Sequence, residues 1–143
     1  MSTQTQRSSA EKLTRRSREA LYALGLQFLL GMAANLIGSP EENSGPGTAV
    51  AGIVLGLHAL VGIGLMVVSV RVWMAARADG AGVRSALWAF IVIILTFLAG
   101  VGTMMTGSGW LSFLMSVGFV VAAALYVAIG AGALLRRRAS TAH

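Results

Sequence analysis

Thr48-Ala49-Val50-Ala51-Gly52-Ile53-Val54-Leu55-Gly56-Leu57-His58-Ala59-Leu60-Val61-Gly62-Ile63-Gly64-Leu65-Met66-Val67-Val68-Ser69-Val70 contains no Asp, Glu, Lys or Arg. A helix rises about 1.5 Å per residue, so roughly 20 apolar residues cross the hydrocarbon of a bilayer. This stretch is long enough to do so. Three others share its character, and the spans are expected at about 20–38, 48–72, 85–106 and 110–135. Both prolines fall in Ser39-Pro40-Glu41-Glu42-Asn43-Ser44-Gly45-Pro46-Gly47, where the first span must stop and turn. Ala78-Asp79-Gly80-Ala81-Gly82 is a second polar turn, and Thr106-Gly107-Ser108-Gly109 is a link too short for anything but an antiparallel neighbour. The expected fold is all-α, a four-transmembrane-helix antiparallel bundle over residues 19–135.

Composition agrees. Of 143 residues 56% are hydrophobic and 11% charged, which leaves far more apolar surface than one small core in water can bury. Lipid is the fitting solvent. Without cysteine the chain has no disulfide, thiolate metal site or cysteine nucleophile. The net charge of +6 does not point to nucleic acid, because the basic residues flank apolar spans and form no soluble face with interleaved aromatics. Ten of the eleven basic residues are Arg, and with heavy use of Ala, Gly and Val this suggests a GC-rich bacterial genome.

Placement of charge orients the bundle. Arg7, Lys12, Arg15, Arg16 and Arg18 precede the first span; Arg71, Arg77 and Arg84 flank the turn between the second and third; Arg136, Arg137 and Arg138 follow the fourth. The opposite side carries Glu41 and Glu42 and no basic residue. The positive-inside rule then puts both termini in the cytoplasm, as a multi-pass protein of the bacterial inner membrane. Tyr22, Trp73 and Trp88 would lie at the cytoplasmic interface and Trp110 at the outer one. Residues 1–18 read as a cytoplasmic tail too poor in apolar side chains to pack, helical only near its end, and 136–143 as a basic tail. A basic arm before an apolar run also marks a cleavable signal. Here the arm is long and Gln27 and Asn35 interrupt the run, so the segment is expected to stay.

Few residues offer chemistry. No Asp, Glu, Lys or Arg sits centrally in a span, which removes the carboxylate of a proton-coupled exporter and most ion-pair relays. A glycine loop with its lysine, a paired-histidine zinc helix and a Ser/His/Asp set are also absent. His58 is the one ionisable residue at depth, roughly 14 Å below the outer end of its helix. Its ring needs partners there: a Ser, Thr or Asn of a neighbouring helix, a haem iron, another metal or a proton relay. Gln27, Gly31 and Asn35 recur every fourth residue and make one inward face; Thr96, Gly100 and Thr103 make another, and Ser112 and Ser116 a third. These predict a polar bundle interior of Gln27, Asn35, Thr96 and Ser116, held by interhelical hydrogen bonds or lining a path. Gly52 and Gly56 match small-xxx-small and predict close approach of a neighbouring helix, while Gly62, one turn from His58, leaves room for a flat macrocycle. Met115 is the candidate second axial ligand, its level offset from His58 by roughly 6 Å of helix rise. Arg136–Arg138 are expected to stop transfer, with lipid attraction as the other role, and His143 lies in a tail unsuited to ligation.

Leu26-Gln27-Phe28-Leu29-Leu30-Gly31 and Leu57-His58-Ala59-Leu60-Val61-Gly62 resemble an uncharacterised family of small four-helix bacterial membrane proteins similar to reduced membrane b-type cytochromes. The resemblance spans the four helices and implies haem b, with a second histidine early in the fourth helix. This chain has Leu114-Met115-Ser116-Val117 there, which leaves His58/Met115 ligation or no haem. Three readings stand: a non-enzymatic subunit that packs on itself or a membrane partner through glycine-rich faces, a haem-binding electron carrier using His58, and a small-solute transporter or channel lined by His58, Gln27 and Asn35.

Overall fold

The structure is a computed structural model that describes residues 3–139, with side chains from residue 8 onward. His143 and the end of the basic tail lie outside the described residues. Four helices run in order: α1 (Thr3–Ile37), α2 (Pro46–Asp79), α3 (Val83–Thr106) and α4 (Gly109–Ala139), with a short 3₁₀ turn at Pro40–Glu42. Among the described residues these four helices are long and apolar enough to cross a membrane. Their outer surfaces carry Leu36, Met105 and Trp110 almost fully exposed, as lipid contact requires. The chain is a multi-pass, all-helical membrane protein.

Each connection has a local cause. Gly38 takes φ +81° and donates its N–H to the Ala34 carbonyl at 3.0 Å, closing α1 in the left-handed conformation that glycine adopts without strain. Asn43 then clasps the turn, its Nδ2 donating to the Ile37 carbonyl at 2.9 Å and to the Ser39 carbonyl at 2.8 Å. Pro46 opens α2 at a position whose missing N–H costs nothing. Gly80, Gly82 and Gly107 all have positive φ and cap the remaining helix ends.

The helices form a ring. α1 packs on α2 and α4, and α3 packs on α2 and α4, while no Cα atoms closer than 8 Å join α1 to α3 or α2 to α4. Buried residues follow spacings of three and four along every helix: Ala10, Leu13, Ser17, Ala20 and Leu24 on α1, then Leu65, Ser69, Val72 and Ala76 on α2. Ala86, Ala89 and Ile93 on α3 and Ala122, Tyr126, Ile129 and Ala133 on α4 complete the core. Such spacing keeps one seam facing its neighbours, and the many alanines let the backbones approach closely. All these seams lie in the half of the bundle where Arg136 of α4 meets Asp79 at 2.7 Å. The Asp79 side chain is only 4% exposed, and that arginine is its ion-pair partner. Beyond Leu24, Leu65, Ile93 and Ala122 the seam loosens, and Ala51 is the one fully buried apolar side chain among the described residues there.

The arm ahead of the first span differs from expectation. α1 begins at Thr3 and continues without a break, and Leu13 is completely buried. Glu19 draws in both Arg16 at 2.7 Å and Arg15 at 3.6 Å along the helix surface, while Ser17 rests against Gly130 of α4. Likewise α4 carries Arg136, Arg137 and Arg138 as its last turn, where cations favour the helix dipole, before ending at Ala139. Replacing Leu13→Ala is therefore expected to cost about 2 to 5 kcal/mol in detergent-solubilised protein. Tyr22→Ala, at a side chain 77% exposed, should change stability by less than about 0.5 kcal/mol when both variants are unfolded by titration of sodium dodecyl sulfate into mild detergent.

Candidate functional site

The residues that sequence marks as chemically interesting separate into two groups. Gln27 and His58 meet: the Gln27 Nε2 lies 3.2 Å from the His58 Nε2 and joins α1 to α2. Gly31 makes this possible, since a Cβ there would come within 3.0 Å of the His58 Cε1. Gly62 plays the matching part on α2. A Cβ at Gly62 would meet the Gln27 Nε2 at 3.2 Å and the Phe97 ring at 3.3 Å, so amide, glycine and phenyl ring of three helices converge at one level. Phe97 carries no signal in the sequence that sets it apart from other apolar side chains of α3.

The site is polar but closed on itself. An amide either donates from its nitrogen or, turned over, accepts at its oxygen, and in both orientations the His58 Nε2 is engaged. The Gln27 Oε1 and His58 Nδ1 are buried with no hydrogen-bond partner. Among the described residues this is the side-chain hydrogen bond that links two helices within the apolar spans.

The other expected interior residues go elsewhere. Asn35 and Ser116 are exposed, so the predicted inward face of α1 holds at Gln27 and fails about two turns later near its end. Ser116 returns its hydroxyl to the Ser112 carbonyl at 3.1 Å, and Thr103 does the same to Ala99 at 2.9 Å. This is the local bonding that helix serines and threonines make when no neighbour competes. Thr96 faces α4, filling the space that Gly118 leaves empty. Met115 lies against Gly100 of α3, where its sulfur would stand 3.3 Å from a Cβ. A Cβ at Gly102 would meet Leu111 at 2.8 Å. The glycines that permit close helix approach within the chain thus include Gly31, Gly62, Gly100, Gly102, Gly118 and Gly130. Gly52 and Gly56 have nothing within 4 Å of where a side chain would begin, so the close approach expected there is not made by another helix of this chain.

The arrangement leaves no open place for a haem beside His58. Its Nε2 is bonded to Gln27, and its Nδ1, though unpartnered, is buried. The room expected beside Gly62 is filled by Gln27 and Phe97. Met115 belongs to the α3–α4 contact, whereas His58 belongs to the α1–α2 contact. The arrangement ties helices together; it presents no nucleophile, acid–base pair or metal-binding set among these residues.

Comparison with models of protein families, with characterised proteins and with solved structures finds no match to this chain.

Gln27→Leu should lower stability by about 0.6 kcal/mol, and by no more than about 1.7, the range of single interhelical hydrogen bonds in a membrane. Gly31→Val should cost more, because its side chain lands on the His58 ring. Unfolding of both variants by titration of sodium dodecyl sulfate into mild detergent gives the comparison.

Proposed function

We propose that this chain is a structural or partner-binding subunit of the bacterial cytoplasmic membrane, with both termini in the cytoplasm, that receives another membrane protein on α2. The observation that carries this reading is the unused glycine face. Gly52 and Gly56 are exposed with no atom of the chain near them, and Leu60, Ile63 and Val67 continue the same exposed stripe along the helix. In lipid the hydrophobic effect does not drive helices together, so small residues on an outer face favour association by allowing close backbone contact. The occupant is a second copy of the chain or a separate subunit.

Antiparallel arrangement of neighbours is part of the proposal. Supporting it, partner numbers fall along α4 as they rise along α3: Thr96 with Gly118, Gly100 with Met115, Gly102 with Leu111. The arginines before α1, around the α2–α3 turn and at the end of α4 support the cytoplasmic placement of that end.

Absence of cysteine makes the test direct. Cysteine introduced singly at Leu60 or Ile63 should give a cross-linked adduct in native membranes, and Gly56→Leu should abolish it. Adducts at neither position would remove the α2 face from consideration. Reporter fusions at Glu41 should report the outer side, and those at His143 the cytoplasm. The electron-carrier reading predicts a Soret band after haem supplementation; the bond between Gln27 and His58 leads us to expect none.

A further inference from the structure

The turn between α2 and α3 concentrates positive charge that the protein leaves unbalanced. Arg77 stands in the last turn of α2 and Arg84 in the first turn of α3, with only the Gly80-Ala81-Gly82 turn and Asp79 between the helices. Asp79 is the one acid of this turn, and it is committed to Arg136 of α4. Neither Arg77 nor Arg84 has an ion pair among the described residues.

Arg77 rests on an aromatic platform. The Arg77 guanidinium carbon lies 5.3 Å from the centre of the Trp73 ring, and that ring stacks on Phe90 of α3 at 6.4 Å with planes 2° apart. Cation and ring attract, and this holds Arg77 back along the helix, toward the apolar spans. The Trp73 Nε1–H is buried without an acceptor. The start of α3 adds to the imbalance: its cap is Gly82, which offers no side-chain acceptor, and its first turn has no acidic residue but does have Arg84, at the end where a helix dipole already favours anions. Two cations with no counter-ion, at the edge of an apolar span, match a phosphate diester whose acyl chains lie along the helices.

We propose that the α2–α3 corner binds the headgroup of an anionic phospholipid, with Arg77 and Arg84 on the phosphate. Trp73 holds Arg77 at the edge of the apolar span through the ring contact described above. Indole rings favour this depth of the interface, and basic pockets between helices recognise anionic headgroups at the membrane surface.

Trp88 and Trp110 are 60% and 78% exposed, so Trp88→Phe and Trp110→Phe leave Trp73 as the sole tryptophan at little structural cost. This protein is reconstituted in phosphatidylcholine vesicles containing, at equal mole fraction, either dibrominated phosphatidylglycerol or dibrominated phosphatidylcholine. The anionic lipid should quench Trp73 fluorescence at a lower mole fraction, and its advantage should fall about fivefold for each arginine lost in Arg77→Gln and Arg84→Gln. Arg18→Gln, a basic residue elsewhere, should leave the advantage intact. Equal quenching by the two lipids in the parent protein overturns the proposal whatever the variants do. An advantage that survives removal of both arginines also overturns it. Competition by millimolar inorganic phosphate would assign the corner to a soluble anion and overturn the lipid.

Discussion

Close contact between alanine-bearing seams is the constraint on which the rest of the structure depends. Ala20, Ala76, Ala86, Ala89, Ala122 and Ala133 are all fully buried, and their size sets how near the four backbones come. Larger side chains at these points would part the helices, and with them the residues the helices carry. The seam begins at Ala10 and ends near Leu24, Leu65, Ile93 and Ala122, so one half of the bundle is tightly interlocked and the other is not. Gln27, His58 and Phe97 sit just where the interlocking ends, and the polar link between α1 and α2 takes over from packing at that level.

Long runs without charge made the membrane spans legible, because hydrocarbon thickness acts on length and composition alone. The arm from Thr3 to Arg18 was harder to read. Its seam consists of Ala10, Leu13 and Ser17, a set with one large apolar side chain among many polar ones, and no average over such a window reveals it. Its burial arises from what lies opposite: Gly130 leaves space on α4 for Ser17. Burial of that kind is a property of two segments more than a hundred residues apart, and neither contains the signal alone.

The site shows the same division. Sequence singled out Gln27 and His58, since polar groups in hydrocarbon demand partners, yet it did not pair them with each other. Gly31 was recognised as a member of the Gln27 face, and its part proves to be admitting the His58 ring. Asn35 and Ser116 were assigned inward by spacing, but a straight periodicity cannot say where a helix diverges from its neighbours, and at those positions it has. Glycines illustrate the point best. All lack a Cβ, so only the rotational setting of each helix decides which are used inside the bundle, as Gly118 is, and which stay on its surface, as Gly52 does.

The contact between Ser17 and Gly130 also bears on how the chain matures. It joins the first helix to the last, so the α4 side of α1 at Ser17 stays uncovered while α2 and α3 are being made. Only when α4 emerges from the ribosome does the ring close, and the entropy lost in bringing such distant segments together is offset by that single late docking step. A chain that stops before Gly130 therefore lacks the surface on which Ser17 rests, and the start of α1 is left with one of its two neighbouring helices.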